Sequence, residues 1–281
     1  MNVLSLFDGI SAGQIALQRA NVSVDKYYSS EVDAFAINIA NKNFPNTVQL
    51  GDVTKWRDWD IDFSKIDLVI GGSPCQGFSF AGKQLNFQDD RSKLFFEYVD
   101  ILNYINSLNS NVKFLLENVR MKQEYQNVIS KFLNVQPIVI NSSLVSAQNR
   151  LRYYWTNIEN IEQPIDKNIK LKDVLVDNPI EKHFLSDKAI DYMSRLRSGK
   201  PRWEYHKNPL DAKAACLTAN MYKGVPYGVI KEKVRKLTEI ECERLQTFPD
   251  NYTEGVSSSQ RYKALGNSWT VEVVSHIFKN L

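Results

Sequence analysis

Cysteine is scarce in this 281-residue chain: there are three, at 75, 216 and 242, with no CxxC pair and no clustered histidines. Such spacing excludes a disulfide framework, points to a reducing compartment and offers no structural zinc site. Long apolar runs are missing too, and none approaches the roughly 18 residues of a membrane span. The opening MNVLSLFDG has no basic n-region or cleavage pattern, so it reads as a strand rather than a signal peptide. Neither GxGxxG nor a Walker lysine occurs, which removes the usual phosphate cradles of dinucleotide and nucleoside triphosphate enzymes. There are no internal repeats and no low-complexity tracts. The expectation is a cytoplasmic protein with no metal and no membrane association.

What is present is alternation. Short apolar runs at 2–7, 24–31, 47–53, 66–75 and 113–119 read as strands. Between them, 11–20, 33–44, 92–108 and 123–133 carry helical spacing. The fold class is therefore α/β, a mainly parallel sheet with helices on both faces. From about 158 to 235, prolines at 164, 179, 201, 209 and 226 break the pattern and suggest a second, small irregular module. A capped helix is expected over 237–249, with Thr238 and Glu241 at capping-box spacing. The stretch 265–281 reads as a tight turn followed by a helix. The expected division is a catalytic and cofactor-binding domain of 1–158 completed by 258–281, with 159–257 as the smaller domain and hinge.

Ligands of parallel sheets bind beyond the carboxyl ends of the strands, and five chemically capable side chains fall there: Asp8, Glu31, Asp52, Cys75 and Glu117. The turn LFDGISAG could bring its backbone close to a ligand. Glu31 sits where a carboxylate usually grips ribose hydroxyls, and Asp52 could accept from an adenine amino group. Together they suggest an adenosine-bearing cofactor without a phosphate cradle. Cys75, in GGSPCQGFS, has three readings: a buried small hydrophobe, a redox sensor, or a nucleophile aimed by proline and made accessible by glycines. Cys216 and Cys242 lack that setting and read as packing. Glu117 follows an apolar run, where it could be satisfied structurally or could donate to a ring nitrogen. Arg150 and Arg152, two apart in QNRLR, would share a face if extended and could hold Glu117, a phosphate or a developing negative charge.

Charge is uneven. Residues 1–155 carry 15 basic and 15 acidic side chains, 156–235 carry 15 and 11, and 236–281 carry 5 and 6, so the middle segment alone supplies the excess. Within it, MSRLRSGKPRWEYHKN interleaves Arg195, Arg197, Lys200 and Arg202 with Trp203 and Tyr205. That mixture suits phosphate pairing and base stacking, or a solvated loop.

In order, FDGISAG, GGSPCQGFS, ENV, QNRLR, RLQTFP and GNSWTV resemble the motifs of the DNA (cytosine-5) methyltransferases. The likeness runs from residue 2 to the C-terminus except for roughly 160–230. It is strongest to small phage and bacterial enzymes and to the catalytic domain of the animal de novo methyltransferases. Asp8 and Ser11 depart from the commoner bacterial form, which has small residues there. The resemblance implies the S-adenosylmethionine-dependent methyltransferase fold with a small target-recognition domain. It implies S-adenosyl-L-methionine as cofactor, double-stranded DNA as partner, and a cytosine flipped out of the duplex. By resemblance Cys75 attacks C6, Glu117 acts at N3, Asn118 supports the nucleophile loop, and Arg150 and Arg152 orient the base. Phe7, Asp8, Gly9, Ile10, Glu31, Val32, Asp52, Val53, Leu94, Asn267, Ser268 and Trp269 match the cofactor site. Pro74 aims the thiol and joins that set. Gln76 and Ser79 match the loop that closes on DNA, and Arg195, Arg197, Lys200 and Arg202 become the expected target-recognition surface. A monomer in a bacterial or phage-infected cell is expected, with a cognate restriction enzyme as a candidate companion.

Other readings stay open at this point. A transfer RNA substrate is one, although the Cys-Phe-Thr tripeptide of that branch is absent. A catalytically silent DNA-binding regulator is a second, although both Cys75 and Glu117 are kept. A nicotinamide-dependent oxidoreductase is a third, weakened by the missing GxGxxG.

Overall fold

The computed structural model describes residues 1–73, 90–206, 208–221 and 229–281. The chain forms two compact units. The first comprises Met1–Ile140, Leu151–Gln163 and Val274–Leu281; the second comprises Asn141–Arg150 and Pro164–Val273. Among the described residues, no helix is long and apolar enough to cross a membrane.

The first unit is built on β1 (Asn2–Leu6), α1 (Ala12–Arg19), β2 (Lys26–Ser30), α2 (Ala34–Asn43), β3 (Val48–Gln49), β4 (Leu68–Gly71), α3 (Asp90–Leu108), β5 (Lys113–Val119), α4 (Gln123–Leu133), β6 (Ile138–Asn141) and β7 (Leu151–Thr156). The strands form one sheet in the order β3-β2-β1-β4-β5-β7-β6. From β3 to β5 the pairing is parallel, and β7 runs antiparallel to β5. The expected parallel sheet is therefore present, with an antiparallel strand beside β5 that the alternation did not reveal. Burial on both faces explains the continuous apolar runs: Val3, Leu4 and Leu6 of β1 and Leu68, Val69 and Ile70 of β4 are wholly inaccessible. Helix α3 lays Phe95, Tyr98, Val99, Leu102 and Ile105, spaced three and four apart, into this core.

Strand order reverses between β1 and β4, the switch point where such sheets open a crevice. Gly71 makes that junction tight, because a Cβ there would lie 2.8 Å from the Leu6 carbonyl oxygen and 3.1 Å from the Tyr98 ring. No larger residue lets β1, β4 and α3 approach so closely.

The second unit contains α5 (Asp187–Ser194), β8 (Leu196–Arg197), β9 (Lys200–Pro201), α6 (Trp203–His206), β10 (Val229–Ile230), β11 (Arg235–Lys236), α7 (Glu239–Leu245) and α8 (Ser258–Asn267), and it takes in the start of α9 (Val271–Phe278). Among the described residues its strands form the short hairpins β8–β9 and β10–β11, and Arg235 of β11 also bridges Phe184. Buried ion pairs replace a large sheet. Arg235 grips Glu241 through two hydrogen bonds of 2.8 and 2.7 Å, and Glu243 accepts from Arg261 at 2.8 Å. The expected capping box is present: Thr238 Oγ1 accepts from the Glu241 amide at 3.1 Å and Glu241 returns the bond at 2.8 Å. Helix α7 stops before Pro249, because the Glu243 carboxylate draws the amides of Asn251 and Thr253 back toward it at 2.7 and 2.8 Å.

Two boundaries differ from expectation. Residues 258–273 were expected with the first domain but fold with the second unit, as does the segment 141–150. Gln246 explains the first case: its side-chain amide donates to the carbonyls of Leu265 and Ser268, and its carbonyl accepts from Thr270. The expected turn at 265 is instead the last part of α8.

Candidate active site

The open mouth of the parallel sheet gathers the carboxyl ends of β1, β2, β4 and β5, with Asp52 following β3. At β5, Glu117 is 8% exposed and its Oε1 lies 2.9 Å from Nε of Arg152. The antiparallel register explains the meeting, since Arg152 pairs with Val119 one turn of the pleat beyond the Glu117–Tyr154 pair. Arg152 also donates to its neighbour's carbonyl at Leu151, at 2.8 Å, which fixes the guanidinium. One carboxylate oxygen is thereby ion-paired, and among the described residues Oε2 has no partner.

Asn118 links β5 to the end of β4. Its amide nitrogen lies 3.4 Å from the Ser73 carbonyl oxygen and 3.5 Å from Ser73 Oγ, while its own oxygen accepts from the Val119 amide at 2.8 Å. This long contact sets the direction of the chain at the residue before Pro74. Pro74, Cys75, Gln76 and Ser79 lie outside the described residues.

Arg150 behaves differently from Arg152. It is 3% exposed and belongs to the second unit, where Nη1 donates to Leu217 O at 2.8 Å and Nη2 to Ser268 O at 2.7 Å and Gly266 O at 3.2 Å. Its alternation with Arg152 fails for a local reason: β7 starts at Leu151, so Arg150 precedes the strand. The structure therefore gives the two arginines separate work, with Arg152 on Glu117 and Arg150 on backbone carbonyls.

At the β1–β3 side, Glu31 is bound by three backbone amides: Oε2 accepts from Gly9 at 2.8 Å, and Oε1 from Val32 at 2.7 Å and Asp33 at 2.8 Å. A carboxylate has about four acceptor sites, so one is left for a hydroxyl. Asp52 uses Oδ1 for the amide and hydroxyl of Thr54, both at 2.9 Å, and these bonds hold its carboxyl below the usual range. Its second oxygen is available to a donor. Two fixed carboxylates in one mouth repel phosphate and accept from hydroxyl and amino groups. Adenosine attached to a sulfonium suits that donor set, and a dinucleotide does not.

The remaining expected cofactor residues divide. Phe7 and Gly9 form the turn after β1, both with left-handed backbones at φ 59° and 60°. The Asp8 carboxylate is occupied by hydroxyls of the protein, those of Ser5, Ser11, Tyr27 and Ser29. Ile10 and Val53 are buried, so only their backbones could meet a ligand, whereas Val32 is 71% exposed. Leu94 is half-buried against the first unit's core. Asn267, Ser268 and Trp269 belong to the second unit, where the Ser268 carbonyl is held by Arg150 and Gln246.

The expected DNA-contacting cations lie on and beside the hairpin β8–β9, whose turn residues Ser198 and Gly199 both have positive φ, at 49° and 80°. Leu196 is 67% exposed there. Arg195 is paired with Asp191 at 2.5 Å and Arg202 stacks over Tyr192 at 4.5 Å; Arg197 and Lys200 flank the turn and are the cations nearest the tip. Cys242 is fully buried, and burial pushes its thiol well up, in keeping with packing. Cys216 lies 3.3 Å from Arg150 Nη1.

The model of the C-5 cytosine-specific DNA methylase family matches residues 1–208 and 173–281. The type II methyltransferase M1.ScrFI of Lactococcus lactis subsp. cremoris is 30% identical over 308 residues, covering 99% of this chain and 77% of that protein. M.NlaX of Neisseria lactamica, also a type II methyltransferase, is 30% identical over 99% of this chain and 95% of its own. Among solved structures, Entamoeba histolytica EhMeth superposes with a TM-score of 0.78 at 19% identity, over 100% of this chain and 97% of that one. S. pombe Dnmt2 does so with 0.71 at 18%, over 98% and 96%. At those identities the structures speak for the fold alone.

Proposed function

Because the chain belongs to the C-5 cytosine-specific DNA methylase family, we propose that Cys75, Glu117 and Arg152 carry its reaction at the β4–β5 mouth. The activity is methylation of cytosine at C5 in DNA, with S-adenosylmethionine as donor. Bound near Glu31 and Asp52, the donor supplies an electrophilic methyl group on a sulfonium. Within a duplex, the C5–C6 edge is shielded by stacking, so the target base must leave the stack, at about a few kcal/mol. The Cys75 thiolate then adds to C6, and the displaced electron pair runs toward N3. Glu117 Oε2 delivers a proton or hydrogen bond to N3, so that density collects at C5, the atom to be methylated. Once C5 carries the methyl group, loss of the C5 proton to a base, departure of the Cys75 thiolate and return of the N3 proton to Glu117 restore the ring. Arg152 keeps Glu117 pointed at N3, and Asn118 fixes the approach of the chain to Pro74, which aims the thiol.

The observation that most supports this reading is the Arg152–Glu117 pair at 2.9 Å, beside the Asn118 contact to Ser73. The fit of the β1–β3 mouth to an adenosine without phosphates supports the placement of the donor. We assign the first unit to chemistry and the second to target recognition, with Arg197 and Lys200 on phosphates. Gln76 and Ser79 are assigned to the DNA-closing loop. A monomer acting in the cytoplasm beside a cognate restriction enzyme completes the proposal.

The covalent step has a direct test. A fluorine at C5 cannot leave as the proton does, so a duplex with 5-fluorocytosine at the target should trap a protein–DNA adduct that survives denaturing electrophoresis. Wild type should form it in the presence of the methyl donor and Cys75→Ser should not. An adduct of equal yield in both would refute Cys75 as nucleophile.

A further inference from the structure

Asp8 sits inside a ring of hydroxyls. Ser5 Oγ donates to Oδ1 at 2.6 Å and Tyr27 OH to the same oxygen at 2.7 Å. Ser29 Oγ donates to Oδ2 at 3.1 Å, and Ser11 Oγ donates there too. All of about four acceptor sites of a carboxylate are taken. The donors come from β1, from β2 and from the residue preceding α1, so one side chain ties three elements together. Its backbone is committed as well: the Asp8 amide donates to Ser30 O and its carbonyl accepts from the Ser11 amide, both at 3.2 Å.

The segment so braced is unusual. Phe7, Gly9 and Ser11 all have left-handed backbones, with φ of 59°, 60° and 57°. Glycine adopts that region freely, but phenylalanine and serine do so only where the surroundings over-determine them. Glu31 fixes Gly9 through its amide, and the Asp8 carboxylate ties Ser5 before the turn to Ser11 at its end.

We propose that Asp8 is a positioning residue for methyl-donor binding: through Ser5, Ser11, Tyr27 and Ser29 it holds the turn 7–11 in the left-handed shape that presents its backbone to S-adenosylmethionine. Asp8 does not touch the donor itself. The inference rests on the reading of the β1–β3 mouth as the donor site.

The test is calorimetric titration of S-adenosylhomocysteine into the full-length protein and its Asp8→Ala, Asp8→Asn, Tyr27→Phe and Ser29→Ala variants. DNA affinity without donor, thermal unfolding, and the KM for donor against kcat are measured in parallel. Asp8→Ala should weaken S-adenosylhomocysteine binding by about tenfold or more. Asp8→Asn keeps one acceptor oxygen, and its hydroxyl neighbours can turn to accept, so it should recover part of the loss. Tyr27→Phe and Ser29→Ala each remove one donor and should weaken binding roughly two- to fivefold. KM for the donor should rise while kcat at saturation and DNA affinity hold. A folded Asp8→Ala with wild-type affinity for S-adenosylhomocysteine overturns the proposal, as does a loss spread equally over kcat and DNA affinity. Should Asp8→Ala fail to fold, unchanged cofactor affinity in both Tyr27→Phe and Ser29→Ala overturns it. Wild type that binds no S-adenosylhomocysteine would bring down the donor-site reading and this inference together.

Discussion

Arg150→Met should cost stability, whereas Arg152→Met should cost turnover. Arg150 donates to three carbonyls, of Leu217, Gly266 and Ser268. Two of those acceptors keep another donor: Cys216 Sγ at 3.4 Å from Leu217 O, and Gln246 Nε2 at 3.0 Å from Ser268 O. Gly266 O loses its guanidinium in a buried setting, where an orphaned acceptor costs about 1–3 kcal/mol. Adding about 1 kcal/mol for each weakened bond gives roughly 3–5 kcal/mol. At about 2–4 °C per kcal/mol for a chain of this size, the melting temperature should fall by roughly 6–20 °C. Scanning calorimetry with single-turnover kinetics below the transition separates the two arginines. Arg152→Met, at a part-accessible pair, should melt within about 3 °C of wild type. It should lose about 10²–10⁴ in the chemical step, the range for a mispositioned general acid–base group. Arg150→Met that melts like wild type yet loses turnover as Arg152→Met does would refute the division of labour.

Gly266→Ala should destabilise the second unit by about 3 kcal/mol or more, because its Cβ would fall 2.1 Å from the Thr218 carbonyl carbon and 2.3 Å from the Ala219 amide; a melt within 2 °C of wild type, taking about 2–4 °C per kcal/mol, would contradict that packing. Burial pushes the Glu239 carboxyl up, but hydrogen bonds from Ser258, Lys182 and His183 outweigh it and hold the group at about 2. Its stabilisation is therefore complete above the unfolded value near 4.5 and drains as pH falls toward about 2, a total of roughly 3 kcal/mol. Urea titrations of wild type and Glu239→Gln between those pH values should show the shallower slope in the variant, and equal slopes would refute the assignment. Replacing Arg197 and Lys200 with alanine should flatten the plot of log binding constant against log salt by about 1.8, two phosphates' worth. An unchanged slope would place the phosphates on another surface.

The rim of the parallel sheet was legible because strand ends are visible where apolar runs stop, and Glu31, Asp52 and Glu117 stand at those stops. Strand β7, between β5 and β6, was not. It runs antiparallel, and its alternation resembles that of any extended segment until β5 supplies the register. Spacing made Arg150 and Arg152 equivalent, but a strand that starts at Leu151 separates them. Asp8 joined the expected cofactor set by its place just past the first strand and by resemblance to the first motif. Its hydroxyl partners at Ser5 and Ser11 were within three residues, but Tyr27 and Ser29 arrive only when β2 pairs with β1. Helix α8 was hidden by its polar composition, and LGN passed for a turn although the backbone at 218–219 is what demands glycine there. Local spacing exposes groups that act alone, and groups that act through distant chain segments need the fold.

The central claim is that this chain methylates cytosine at C5 through Cys75. Expressing the wild type and Cys75→Ser in a bacterium that lacks cytosine methylation, then mapping 5-methylcytosine at base resolution, tests it most directly. The account predicts modification at one short DNA motif with wild type and none with Cys75→Ser. Unmodified DNA despite folded wild-type protein, or equal modification by the variant, would contradict it.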